Sequence, residues 1–467
     1  MIEVTAYRDR AVMVLGLGRS GLAAAAALRE GGAAIVTWDD DPKARGRAKQ
    51  EGFPVTDPTV LDWSHVDALI PSPGIPLDHP EPHPAVVKAR AARCEILGDI
   101  ELLTRTQNEA RYVGITGTNG KSTTTALIGH LLQQDGRRIE VGGNLGAPVL
   151  SLAPLGREGT YVLELSSFQI DLMQSPCLDV AVLLNITPDH LDRHGGLEGY
   201  VAAKRRLFDL LREKATAVIG MDDAHCRTIR KSLASGVTVV EVSARQALDR
   251  GVSAAEGTLV ERLGETVPAI DLARLPAFQG EHNWQNAAAA WAAARAAGLK
   301  PEHAARSLAS FVNLPHRQEL VAVVNDVRYV NDSKATNATA TATALQAFDA
   351  IYWIAGGRAK ADGIAPLAPH FPRLRHAFLI GEAMEAFAAT LDGKVAYSRC
   401  GDLETALKAA HAMAQAAGER AAVVLLSPAC ASYDQWKNFE ERGDAFRSLV
   451  LKLPDAKPVT QMEGAVS

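Results

Sequence analysis

Short apolar runs alternate with longer helical stretches along the whole chain. Runs 11–15, 34–36 and 112–116 read as strands, and so do 327–330, 351–355, 377–380 and 422–426. Between them lie helix-like stretches such as the alanine-rich 22–28 and 284–297. This alternation predicts an α/β protein whose parallel sheets are joined by crossover helices. The strand–loop–helix pattern starts afresh three times, so three segments are expected, 1–98, 99–313 and 314–467. No low-complexity linker or short-period repeat interrupts them.

Composition narrows the class. Of 467 residues 47% are hydrophobic and 22% charged, ample for buried cores. A net charge of −5 argues against a general nucleic-acid binder, which needs basic surface to displace counterions. Aromatic residues are only 5%, too few for a base-stacking platform. Five cysteines are scattered without metal spacing, as isolated thiols in a reducing compartment would be. Residues 1–10 lack a signal peptide's apolar core, and the longest apolar runs are too short to span a bilayer. A cytoplasmic protein without membrane insertion is expected.

Two glycine-rich loops carry candidate chemistry. Gly16-Leu17-Gly18-Arg19-Ser20-Gly21 follows a strand and opens a helix, the context in which GxGxxG binds a pyrophosphate. Asp39-Asp40-Asp41 ends the next strand, where a ribose-binding carboxylate would stand. The same glycines would also serve a turn needed only for helix–strand packing. More specific is Gly117-Thr118-Asn119-Gly120-Lys121-Ser122-Thr123, between the strand 112–116 and the helix 123–132. Its amides would wrap phosphate oxygens, Lys121 would reach the β- and γ-phosphates of ATP, and Ser122 would ligate Mg²⁺. The loop departs from the strict Walker pattern, because Ile115 stands where the first glycine is expected.

GTNGKST resembles the ATP loop of the Mur ligases and the related folylpolyglutamate synthetases. Further stretches agree in order: Glu164 within LELSS, Asn185-Ile186-Thr187-Pro188-Asp189-His190, His282-Asn283 with Asn286, and His316-Arg317 followed by Asn331-Asp332-Ser333-Lys334. The ending from Ser427 to Gly443 and Ser72-Pro73-Gly74-Ile75 are most similar to the D-glutamate-adding branch of the Mur ligases. The resemblance spans the chain. It implies a Rossmann-like N-terminal domain, a central P-loop ATPase-type domain and a C-terminal Rossmann-like domain. It also implies ATP-driven amide formation between UDP-N-acetylmuramoyl-L-alanine and D-glutamate by a monomer, in peptidoglycan precursor synthesis.

The resemblance assigns roles residue by residue. Lys121, Glu164, His190 and Lys204 would be catalytic, with Ser122, Glu164, His190 and Lys204 holding Mg²⁺, the lysine as a CO₂-derived carbamate. ATP would meet Gly117 to Thr123, Asn283, Asn286, Arg317, Asp332 and Lys334. The UDP substrate would meet Gly18, Arg19, Ser20, Asp39, Ser72, Gly74 and Asn144. D-Glutamate would meet Thr336, Lys360, Ser432 and Phe439. Without the resemblance Glu164 reads as a buried strand-end acid paired with a cation, Asn283 as a helix cap and Lys204 as a solvated helix lysine. Three consecutive aspartates leave the match at Asp39 open. The rival readings are an NAD-dependent oxidoreductase, a P-loop switch protein and a folylpolyglutamate-type ligase.

Overall fold

The computed structural model describes the whole chain except residues 235, 265–266, 279, 360–362 and 459–467. Two compact units divide it, Met1–Phe311 and Val312–Ser467. Among the described residues the strands form three sheets.

In the first unit, a four-stranded parallel sheet runs in the order Ala34–Trp38, Ala11–Leu15, Ala68–Pro71, Glu95–Ile96. Helix Arg19–Glu30 is held close to it by two glycines. A Cβ on Gly21 would lie 1.8 Å from Gly16 O, so no other residue fits that crossing without moving backbone.

The second sheet has nine strands, and the half around Arg111–Thr116 is parallel. Arg111–Thr116 lies between Thr160–Glu164 and Leu178–Leu183, with Ile139–Gly143 outside the former and Leu211–Gly220 outside the latter. Ile115 is level with Glu164, and Thr116 with Leu183. The loops leaving these three strands therefore share one edge, where strand order reverses and ligands bind in open α/β sheets. Alternate side chains feed opposite faces. Tyr112, Tyr161 and Leu163 join a core continuous with that of the first sheet, while Val113, Ile115 and Val162 pack under helices Lys121–Gln134 and Glu281–Ala296. Alanines at 287–290 and 292–294 are all fully buried, which lets the second helix lie close against the first.

The second unit carries a seven-stranded sheet in the order Tyr397–Gly401, Leu374–Ile380, Ile351–Gly356, Val423–Leu426, Val327–Asn331, Glu319–Val324, Lys457–Pro458. Its faces alternate in the same way: Trp353 and Leu379 look to one side, and Tyr329 and Phe378 to the other, where Phe446 of helix Phe439–Val450 joins them. The strands Glu319–Val324 and Tyr397–Gly401 are not among the runs named above: residues 320–324 are an unbroken apolar run that itself fits a strand, whereas Ser398 and Arg399 interrupt the other. The ATP-loop helix starts at Lys121 rather than 123, so Lys121 and Ser122 stand in its first turn. No helix among the described residues is long and apolar enough to cross a membrane.

Candidate active site

The loop 117–120 joins strand Arg111–Thr116 to the N-terminus of helix Lys121–Gln134. The positive end of the helix makes this an anion site, while the amides of Thr118 and Asn119 are tied to Asn185. Gly120 caps the helix at φ +83°, and a Cβ there would meet Asn286 Oδ1 at 2.2 Å. Both constraints demand glycine. Lys121 Nζ curls back to donate to the carbonyls of Gly117 (2.9 Å) and Thr118 (2.8 Å), the posture of a cation above a phosphate cradle.

Glu164 ends the neighbouring strand and is 2% exposed. Its carboxylate accepts from Ser122 Oγ on one oxygen and from Asn144 Nδ2 (2.8 Å) on the other. The cation pairing expected for a plain strand-end acid is not what holds it; its two donors are neutral. Ser122 and Glu164 thus present hard oxygen donors side by side, a set suited to a small divalent cation. No three His, Cys, Asp or Glu gather into a metal-binding group among the described residues, so protein would supply only part of the coordination.

Lys204 lies on helix Leu197–Arg205 and is 1% exposed, which corrects the solvated-lysine reading. Its amine donates to Gly117 O at 2.8 Å, the same carbonyl that Lys121 uses, and sits 4.7 Å from the centre of the Tyr200 ring. Two ammonium groups on one carbonyl repel. Burial first, and then Lys121, hold the Lys204 amine well below its ordinary range. That shift favours the neutral, nucleophilic amine.

Residues that the site assignment missed fasten the loop. Asn185 accepts from Asn119 N (2.9 Å) and donates to Asn119 O (3.2 Å), while Thr118 Oγ1 reaches Thr187 O (3.1 Å) and Tyr200 Oη (3.2 Å). Asn185 lies in a stretch that marked the resemblance, and only the fold shows that it clamps backbone. Asn286 accepts from Thr124 Oγ1 (3.3 Å) and donates to Asn283 Oδ1 (3.3 Å), so both asparagines stand beside the loop. Gly280, not Asn283, caps their helix. Thr123 lies in the first turn of the loop's own helix. His190, at φ +52°, caps the short helix Leu191–His194, with Nε2 3.6 Å from Asp189 and its ring edge-on to Phe168 at 5.2 Å.

At the first sheet Gly18 caps helix Arg19–Glu30, with Arg19 and Ser20 in its first turn. Asp39 accepts from Leu17 N (2.6 Å) and so braces the glycine loop. Asp40 faces His83, and Asp41 caps helix Pro42–Gln50, which distinguishes the three aspartates by task. Ser72 Oγ donates to Gly16 O at 3.0 Å, and Gly74 O accepts from Arg193.

In the second unit, Asp332 is buried at the end of strand Val327–Asn331 and accepts from Ser427 Oγ (2.7 Å) and Gln318 N (3.2 Å). Burial pushes its carboxyl up to about 7, with Arg317 among the charges opposing the rise. Lys334 Nζ stands 4.0 Å over the Phe439 ring. Ser432 is buried and Thr336 half-buried, and Thr336 N donates to Lys334 O (2.8 Å). Arg442, also missed, is fully buried and ties Ser333 to the Cys430 carbonyl, fixing the loop that carries Ser432. Lys360 lies outside the described residues.

Comparison with known proteins agrees with this geometry. Residues 115–294 match the Mur ligase middle domain, and 316–430 the Mur ligase glutamate ligase domain. A UDP-N-acetylmuramoylalanine--D-glutamate ligase of Paramagnetospirillum magneticum is 51% identical, over 96% of this chain and 98% of its own. One from Caulobacter sp. is 52% identical over 98% and 100%. Among solved structures, the MurF ligase of Thermotoga maritima in complex with ADP superposes with a TM-score of 0.59 at 19% identity, covering 97% of both chains, which speaks to fold alone. With sequence kinship over nearly the full length, and the phosphate loop, strand-end glutamate and buried lysine brought together at one sheet edge, the chain belongs to the Mur ligase family.

Proposed function

We propose that this chain is the ATP-dependent ligase that adds D-glutamate to UDP-N-acetylmuramoyl-L-alanine. The observation that carries the reading is the cluster of Lys121, Ser122, Glu164 and Lys204 around one phosphate cradle, in a chain half identical to relatives bearing that name. The rival folds weaken accordingly: NAD chemistry leaves this cradle without a task.

A carboxylate is a poor acyl donor. One oxygen of the alanyl carboxylate attacks the γ-phosphorus of ATP, the bond to the β-phosphate oxygen breaks, and ADP leaves. The amine of D-glutamate then attacks the acyl carbon, loses a proton, and phosphate departs with the original carboxylate oxygen. Such phosphoryl transfer needs positioning and charge neutralisation more than covalent help. The loop amides and Lys121 supply both at the γ-phosphate. Asn144 orients Glu164. Asn283 and Asn286 suit the adenine edge, since an amide both donates and accepts. Arg317, Asp332 and Lys334 are assigned to the nucleotide's sugar and phosphates, and Thr336, Lys360, Ser432 and Phe439 to D-glutamate. Gly18, Arg19, Ser20, Asp39, Ser72 and Gly74 are assigned to the UDP substrate.

Ser122, Glu164, His190 and a carbamylated Lys204 would hold Mg²⁺, which neutralises phosphate charge when bound. The carbamate forms when the neutral Lys204 amine adds to CO₂ and releases a proton, turning a repelling cation into an anion. The working form is taken as a cytoplasmic monomer, with domain boundaries at 98/99 and 313/314.

Phosphate release tests the reading. With ATP, Mg²⁺ and UDP-N-acetylmuramoyl-L-alanine, turnover should require an amino acid and favour D-glutamate far above L-glutamate or other D- and L-amino acids. Equal rates with the two enantiomers would overturn it.

A further inference from the structure

The loop after Leu183 belongs to the second sheet and the loop after Pro71 to the first, yet one side chain joins them. Arg193 Nη1 donates to Gly74 O at 2.9 Å, and its guanidinium lies 4.7 Å from the centre of the Phe168 ring. Phe168 in turn stacks on His194, with centroids 5.2 Å apart and 7° between planes, and meets His190 edge-on. His194 Nε2 stands 2.8 Å from Ser167 Oγ, at the start of helix Ser167–Asp171, three residues beyond Glu164. Burial lowers His194 to about 4, so a neutral ring lies in the stack beside the arginine. A continuous chain of contacts thus runs from the Ser72–Gly74 loop to both His190 and the segment that follows Glu164.

Two features make Arg193 more than packing. Its Nε is buried without a hydrogen-bond partner in the protein, a rare state that leaves it a donor to spare. It also borders a cavity of about 480 Å³ lined by Pro73 and Ile75 on one side and Phe168 and His194 on the other. Beside this cavity the two loops meet through Arg193 at Gly74 O and through His79 against Gly195.

We infer that Arg193 is a positioning residue that couples occupancy of the Ser72–Gly74 loop by the UDP substrate to the placement of His190 and Glu164. The inference rests on the proposed function above. A substrate that shifts the Gly74 carbonyl pulls the guanidinium, and the Phe168 stack passes the displacement to the histidine loop. Such coupling is reciprocal: a nucleotide seated at Glu164 must tighten the UDP substrate by the same factor.

Calorimetry with the full-length enzyme measures that factor as the ratio of UDP-N-acetylmuramoyl-L-alanine Kd without and with a non-hydrolysable ATP analogue and Mg²⁺. Coupled sites of this kind change affinity by about 5–150-fold, and the wild type should fall in that range. Arg193→Lys, which loses the planar stack, and Phe168→Leu, which keeps the Gly74 bond, should each reduce the ratio at least threefold. Affinity for the analogue alone should stay unchanged, and kcat should fall with little change in the KM for D-glutamate. A wild-type ratio of one, or ratios undiminished in both variants despite lowered Tm, would overturn the coupling. A wild-type enzyme that releases no phosphate with D-glutamate would instead overturn the functional reading.

Discussion

Lys121→Ala should slow ATP-dependent phosphate release by roughly 10²–10³-fold, the loss typical when one preorganised donor is taken from a developing charge. The amine now rests on Gly117 O and Thr118 O, ready to exchange two neutral acceptors for phosphate oxygens. Helix Lys121–Gln134 keeps its packing through Leu127, Ile128 and Leu131, so the variant should fold. Binding of the UDP substrate should survive, because its assigned residues other than Asn144 lie on the first sheet, braced by Asp39 and Ser72. Phosphate release and calorimetry on the same preparation check both statements. Loss of UDP-substrate binding in a folded variant would show that the sites are wrongly divided.

Lys204→Ala should cost at least about 10²-fold in turnover for a different reason. A second ammonium on the Gly117 carbonyl would oppose cation binding, whereas a carbamate adds a negative oxygen donor beside Glu164. Burial lowers the amine's pKa, which favours the neutral form that would add to CO₂. A short carboxylate such as acetate should partly restore the variant by filling the vacated anionic position. Wild-type enzyme equilibrated with ¹³C-bicarbonate should give a carbamate carbon resonance that the variant lacks. Full activity of Lys204→Ala, or no such resonance in active wild type, would remove the carbamate from the mechanism.

Much of this site was legible before any fold was known, because loops that bind phosphate advertise themselves. Gly117 to Ser122 combine a glycine at positive φ with a lysine and a hydroxyl at fixed spacing, and chance rarely sets those between a strand and a helix. The core strands were legible for the same reason that their faces alternate. What stayed hidden was through-space assembly. Lys204 on its helix reads as solvated until the helix is laid against the Gly117 carbonyl, 87 residues away in sequence. Asn185 marks the resemblance in sequence, but only the fold shows its amide clamping Asn119. Arg193 and Phe168 carry no spacing signal at all, since their partners lie on another loop and another sheet. The three aspartates after Trp38 show the converse: their order was ambiguous, and hydrogen bonds to Leu17 N, His83 and Lys43 N separate them.

The central claim is that ATP activates the substrate carboxylate, and isotope transfer tests it most directly. UDP-N-acetylmuramoyl-L-alanine labelled with ¹⁸O in the alanyl carboxylate would be turned over with ATP, Mg²⁺ and D-glutamate, and the released phosphate analysed by mass. Passage through an acyl phosphate predicts one ¹⁸O atom in each phosphate and one retained in the new amide. Phosphate free of label, with one heavy atom lost to water instead, would contradict the account.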